Sequence, residues 1–365
     1  MRRLLVAAAL LSFLNPAFAE DIGWPVFFND RAPFSSFPPS DSNKEAVVYD
    51  SGPSFEINHP WNSALISGFG AGPGIILQFA RSDRKGHWSN WKTGSLHVFP
   101  QGRFWAKISM GSGPGALRVR AISSDPGSFF SMKFIEAAVF IRAPERHAVS
   151  ADSGASYQPA SFKENVPWPK PLIYSRREWH ARRPTHSYTP SHPRYITIHH
   201  TAGIETHSLT STLREVRFIQ DFQMNGRGWW DIGYHFLIDS SGHIIEGRPE
   251  NVEGSHTEGF NKDNLGIALM GDYNPPVDDH LSRAQMKALV SLVRYLSYKY
   301  QISPSKIKGH RDYDQTACPG DEVYALLPRV RELDSWRPPL QFSSQISAVL
   351  SHSNQPILWD ALSPR

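Results

Sequence analysis

The sequence predicts an α/β domain, a mixed central β-sheet flanked by helices, preceded by an all-β sandwich-like domain. Three observations carry this. From about Asp50 to Arg142, short alternating runs are broken by glycine, proline and serine clusters. From Ala143 to about Pro171 the chain is polar and proline-bearing, without the apolar periodicity that a core needs. Beyond Leu172, β-branched strands alternate with segments of helical period, the pattern of an α/β layer.

In the first region "ALRVRAI" turns Leu117, Val119 and Ala121 to one face and Arg118 and Arg120 to the other. "GIILQFARS" offers Ile75, Leu77 and Phe79 on one face, and "GFGAGPG", "MGSGPG" and "SSDPGS" fall at turn-like spacing. Short alternating strands with frequent turns favour an antiparallel sandwich. Trp88 and Trp91, in "GHWSNWKTG", are expected to cap its core, with a sugar-stacking platform as the alternative.

The second region begins with "YITIHH", a short β-branched strand. Leu209, Leu213, Val216, Ile219 and Phe222 then recur at helical spacing. "HFLIDSSGHIIEG" reads as a hairpin, and "NLGIALMGDY" as a further strand. Ser282 and Gln285 form a capping-box pattern ahead of Met286, Leu289, Leu292, Val293, Leu296 and Tyr300 on one helical face.

The N-terminus has the layout of a cleaved secretory signal: Arg2 and Arg3, an apolar run from Leu4 to Leu14, then Ala17-Phe18-Ala19. The expected division is therefore 1–19 signal peptide, 20–145 sandwich, 146–171 linker, 172–336 α/β domain and 337–365 tail. A periplasmic or secreted location follows. No later apolar run reaches the length of a transmembrane helix, about 18 residues. Losing Arg2 and Arg3 lowers the formal charge from +4 to +2. Without a Lys/Arg block, nucleic acid is not expected as a partner.

Cys318 is the only cysteine, so it forms no internal disulfide. An inert buried thiol, an intermolecular bridge, and a metal ligand or nucleophile remain open by counting. Its neighbours favour a metal. "GHRDYDQTACPG" places His310 and Cys318 in an H-x7-C arrangement, and "ITIHHTAG" ends a strand on His199 and His200. One of those histidines with His310 and Cys318 would make a three-ligand zinc site with a fourth position open.

Five blocks occur in order: "YSRREWHAR", "YITIHHTAG", "GWWDIGYHFLIDSSGHIIEGRP", "GSHTEGFNKDNLGIALMGDYN" and "IKGHRDYDQTACPGD". Together they resemble the peptidoglycan recognition protein branch of the type 2 N-acetylmuramoyl-L-alanine amidases, over roughly Leu172 to Trp336. The resemblance implies zinc held by His199, His310 and Cys318, with Tyr234 and Thr316 as catalytic residues. It implies hydrolysis of the amide between the lactyl group of N-acetylmuramic acid and L-alanine in peptidoglycan. Gly228, Trp229 and Arg248 match positions that accompany preference for meso-diaminopimelate stems, whose extra carboxylate an arginine can take in a fork. His200, His256 and either Asn261 or Asn264 match positions lining the peptide groove. Animal members of the family usually carry a disulfide near the start of the domain, which one cysteine cannot form. The resemblance therefore points to a bacterial or phage-like relative, and the sandwich to a wall or protein partner. Two rival expectations are a non-catalytic peptidoglycan-binding protein and an amidase of small soluble muropeptides.

Overall fold

The computed structural model describes residues 24–26, 46–72, 74–123, 132–141, 169–275 and 277–335. The expected signal peptide, most of the linker and the C-terminal tail lie outside the described residues. The chain forms two compact units, the first drawn from Met1–Ser150 and Phe218–Ile232, the second from Ala151–Arg217 and Gly233–Arg365. No helix among the described residues is long and apolar enough to cross a membrane.

The first unit is built on β1 (Trp24–Pro25), β2 (Ala46–Pro53), β3 (Trp61–Phe69), β4 (Ile75–Arg81), β5 (Lys92–Thr93), β6 (Ser95–Val98), β7 (Phe104–Gly113), β8 (Leu117–Ser123) and β9 (Lys133–Phe140). Five strands pair in the order β1-β9-β3-β7-β6 and four in the order β2-β8-β4-β5. All these pairings are antiparallel. The alternation explains why both sheets share one core. Leu77, Phe79, Leu117, Val119 and Ala121 from one sheet meet Ala64, Ile66, Phe104, Ala106 and Val139 from the other, all fully buried. Burying each large side chain in such a core stabilises by about 1.5–3 kcal/mol.

The two tryptophans depart from expectation. Trp88 is 38% exposed, and neither it nor Trp91 belongs to the core cluster. Trp91 instead lies under the guanidinium groups of Arg120 and Arg118, at 4.3 and 5.7 Å from its ring. These arginines occupy the outward positions of β8, so the indole is on the outer face of its sheet. Arg118 is fixed there by a fork on Asp50, at 2.8 and 2.6 Å.

The second unit contains β10 (Ile173–Tyr174), β11 (Tyr195–His200), β12 (Phe236–Ile238), β13 (Ile244–Glu246), β14 (Asn264–Leu269) and β15 (Ile307–Gly309), in the sheet order β10-β13-β12-β14-β11-β15. The β12–β13 hairpin is antiparallel and the other pairings are parallel, so the sheet is mixed. The helices are α1 (Leu209–Asp221), whose last residues from Phe218 onward belong to the first unit, α2 (Arg283–Tyr300) and α3 (Asp321–Ser335). Strand β11 is flanked on both sides and buried from Ile196 to His200. That explains its β-branched run.

Helix α2 buries Leu289, Leu292, Val293 and Leu296 in this core, as its periodicity predicts. Ser282 caps it by accepting from the Gln285 amide at 3.0 Å. Gln285 does not return the bond to the cap. Its fully buried side chain accepts from the Tyr273 hydroxyl at 2.8 Å and donates to the Ile238 carbonyl at 2.9 Å. A buried amide is satisfied by whichever groups surround it, and here those belong to the sheet.

The separation of Phe218–Ile232 differs from the sequence reading, which kept 172–336 together. Periodicity shows that Val216, Ile219 and Phe222 are buried, as they are. It carries no information on what buries them.

Candidate metal centre

Register brings the first two histidines together. On parallel neighbours β11 and β15, Ile196 pairs with Ile307, Thr197 with Lys308 and Ile198 with Gly309. The next residues are His199, still on β11, and His310, just past the end of β15, and their rings lie 4.6 Å apart. The chain then makes a short turn, His310–Asp312, and loops back to Cys318. Arg311 braces this loop: its amide donates to the Cys318 carbonyl at 3.1 Å, and Nη1 to Asp321 at 2.7 Å. Cys318 Sγ thereby stands 3.6 Å from His199 Nδ1 and accepts from the His200 amide at 3.4 Å.

Candidate ligand atoms of His199, His310 and Cys318 all lie within 4.8 Å of one another. The residues fit zinc. Two imidazoles and a thiol are a common zinc donor set, and tetrahedral coordination spaces ligand atoms by about 3.5 Å. The His310 Nε2 atom is buried with no hydrogen-bond partner among the described residues. Such an orphan costs about 1–3 kcal/mol, a cost that a metal ion in the site would offset.

The surroundings keep these groups neutral. Burial, then the neighbouring histidines, holds His199 well below its ordinary value of 6.5. Burial also lowers His310, and brings His200 down to about 4. It pushes the Cys318 thiol up to about 12. A cation beside the sulfur reverses that preference, since it favours the thiolate.

A chain of hydrogen bonds orients His199. His256 Nε2 lies 3.0 Å from the Asn264 carbonyl, which can only accept, so that nitrogen carries the proton. His256 is held neutral by burial, so its Nδ1 is an acceptor. That atom faces both the Thr257 hydroxyl at 2.9 Å and His199 Nε2 at 3.0 Å, and towards its lone pair His199 Nε2 can act only as a donor. His199 Nδ1 is left with its lone pair, on the side facing Cys318. This is the outer-shell arrangement that holds a metal-ligating histidine in one tautomer.

Two glycines make room for it. A Cβ on Gly254 would stand 2.4 Å from His256 Cδ2, and one on Gly266 would stand 2.5 Å from His256 Cγ. His235 completes the layer, accepting from the Gly266 amide at 2.9 Å and donating to the Val252 carbonyl at 2.9 Å.

The other expected residues divide. Tyr234 flanks His199, ring centroids 5.4 Å apart. Thr316 Oγ1 accepts from the Cys318 amide at 3.2 Å. Both belong to the neighbourhood of the three ligands. His256 and Asn264, expected in a peptide groove, are instead 4% and 2% exposed. His256 is committed to His199 and to the Asn264 carbonyl, while the Asn264 amide donates to Phe260 and accepts from Thr197. Asn261 is half-buried, and its Oδ1 accepts from the amides of His256 and Thr257, at 2.8 Å each, which shapes the loop. His200 is buried, its amide donated to Cys318 and its ring 3.6 Å from Asp272. Arg248 is buried, with Nη1 donating to the Glu253 carbonyl at 3.0 Å. Gly228 and Trp229 lie in the first unit.

A family model described as N-acetylmuramoyl-L-alanine amidase matches residues 187–321, a span that holds the whole centre. Mouse peptidoglycan recognition protein 1 is 38% identical over 158 residues, covering 43% of this chain and 86% of that protein. The chain belongs to the peptidoglycan recognition protein and type 2 amidase family. Within it, the peptidoglycan-recognition protein SC2 of Drosophila simulans is 34% identical over 167 residues, 45% of this chain and 88% of that protein. Among solved structures, wild-type Drosophila PGRP-LB is 32% identical with a TM-score of 0.40, covering 45% of this chain and 94% of that one. The sandwich lies outside the span matched by the amidase family model.

Proposed function

We propose that this chain is an exported zinc-dependent N-acetylmuramoyl-L-alanine amidase acting on peptidoglycan, with preference for meso-diaminopimelate stems. The observation that carries the proposal is the convergence of His199, His310 and Cys318, with ligand atoms within 4.8 Å of one another. The description of the matching family model names the same reaction.

When bound, zinc supplies a Lewis acid for the lactyl carbonyl. The chain's own groups do the rest. His199 presents an unprotonated Nδ1 because His256 accepts from its Nε2. Tyr234, beside His199, is placed to stabilise negative charge developing on the carbonyl oxygen. The Thr316 oxygen already accepts from the Cys318 amide, which leaves its own hydroxyl proton to donate towards the same charge. Hydrolysis breaks the C–N bond and forms a C–O bond to one water, whose hydrogens end on the lactyl carboxylic acid and on the freed L-alanine amino group. The buried Arg248 guanidinium is the charge that would answer the extra carboxylate of meso-diaminopimelate.

A second reading is a receptor that binds peptidoglycan without cleaving it, favoured by the names of the relatives, which are recognition proteins. Incubation of the purified chain with meso-diaminopimelate-type peptidoglycan separates the two. An amidase releases peptides with L-alanine at their amino terminus, whereas a receptor binds the polymer and releases none.

A further inference from the structure

Trp91 stands on the outer face of the β2-β8-β4-β5 sheet, and strand register shows what surrounds it. Directly opposed residues share a face. Across β8, Arg120 is opposite Asp50 of β2 and Gln78 of β4, and Arg118 is opposite Ala80 of β4. Gln78 in turn is opposite Thr93 of β5, two residues beyond Trp91. The outer face thus carries a polar row, Thr93, Gln78, Arg120 and Asp50, beside the half-buried Trp91 indole. All of these residues lie in the first unit.

The two arginines beside the indole differ in charge balance. Arg118 pairs with Asp50, so its charge is answered within the sheet. Arg120 donates from both Nε and Nη2 to Gln78 Oε1, at 2.9 and 2.7 Å. That acceptor is neutral, and Arg120 forms no ion pair among the described residues. A partly buried charge without a counter-charge is costly, and a guanidinium has the shape to take a carboxylate in a fork. It lies 4.3 Å from the Trp91 ring, whose apolar surface suits the C–H face of a pyranose. An acidic sugar matches both groups. The proposed reaction makes one: each cleavage turns a neutral lactyl amide on the glycan strand into a carboxylate, ionised at neutral pH.

We infer that this face binds peptidoglycan glycan strands stripped of their stem peptides, with Arg120 taking the lactyl carboxylate and Trp91 stacking on a sugar ring. The origin of that ligand rests on the amidase proposal, to which this adds a role for the sandwich: holding the enzyme on wall already cleaved. The zinc centre takes no part in the binding.

The test uses the full chain with Arg120→Gln and, separately, Trp91→Ala. Affinity is measured for immobilised glycan strands stripped by a different amidase, and for the same strands with their lactyl carboxylates capped as methylamides. Capping should weaken binding of the parent by roughly three- to tenfold, and Arg120→Gln should weaken binding to uncapped strands by the same factor. The two losses should not add, because they remove one contact. Trp91→Ala should lower affinity for both kinds of strand by a similar factor. Equal binding of the parent to capped and uncapped strands, or losses that add, would overturn recognition of the carboxylate by Arg120. Parental affinity in Trp91→Ala would overturn the stacking. A zinc-loaded parent that releases no peptide would instead defeat the amidase proposal, while these affinities would still decide whether the face binds stripped strands. Should Trp91→Ala fail to fold, Arg120→Gln alone decides.

Discussion

His256 accepts a hydrogen bond from His199 across 3.0 Å while donating its own Nε2 proton to the Asn264 carbonyl. That pair converts a buried backbone acceptor into a defined tautomer at the proposed metal ligand. Removing it should weaken the metal site without removing any ligand. His256→Phe is expected to lower zinc affinity by about 10- to 100-fold. Competition with a chromogenic chelator measures this; parental affinity in the variant would mean that His199 needs no partner.

Gly266 tests the same relationship from the backbone side. Its Cβ would lie 2.5 Å from His256 Cγ and 2.8 Å from Nδ1, and no backbone can retreat within a buried strand. Gly266→Ala should lower stability by about 1–3 kcal/mol through overpacking and weaken zinc binding with it. Gly111→Ala is the control, because a Cβ there meets nothing within 4 Å. Equal stability of the two variants in urea would contradict the packing described.

Acid should unfold the second unit by a route that its buried histidines define. Burial brings His235 down to about 4 from an ordinary 6.5, and both its ring nitrogens serve the neutral form. Between these values the unfolded chain binds more protons than the folded one, so stability rises with pH across that window. It is fully present above 6.5 and is lost as pH falls towards 4. The loss from this one residue is on the order of 3 kcal/mol. Urea unfolding at stepped pH reads it directly, and a flat profile from 6.5 to 4 would count against it.

The cap of α2 offers a prediction away from the centre. Ser282 Oγ accepts from the Gln285 amide at the helix start, so Ser282→Ala should cost about 1 kcal/mol. Because Gln285 is held by the sheet rather than by the cap, Gln285→Ala should cost more than Ser282→Ala. Thermal unfolding of the two variants gives the order.

Much of this architecture was legible beforehand. The alternation of Leu117, Val119 and Ala121 predicts one buried face of β8, and the spacing of Leu289, Leu292, Val293 and Leu296 predicts the face of α2. His310 and Cys318 stand out because a lone cysteine near a histidine invites a metal. The role of His256 is not legible in the sequence, since its partners are a carbonyl, a neighbouring threonine and a histidine far away in the chain, with two glycines making room for its ring. A side chain whose partners come from distant strands and from the backbone leaves no pattern in its own sequence surroundings. Trp88 and Trp91 lie away from the expected core because aromatic content alone does not tell the core face of a sheet from a face covered by arginine side chains. The π-helical turn Phe222–Arg227 is not legible for a related reason: helical spacing of Ile219 and Phe222 is the same whether the helix continues or widens.

The most direct test of the proposed centre compares the purified chain with its Cys318→Ser variant for bound zinc and for release of stem peptides from meso-diaminopimelate-type peptidoglycan. The account predicts about one zinc per parent chain and peptide release, with both reduced at least tenfold in the variant when zinc is limiting. A folded parent that binds no zinc, or a variant that binds and cleaves as well as the parent, would contradict it.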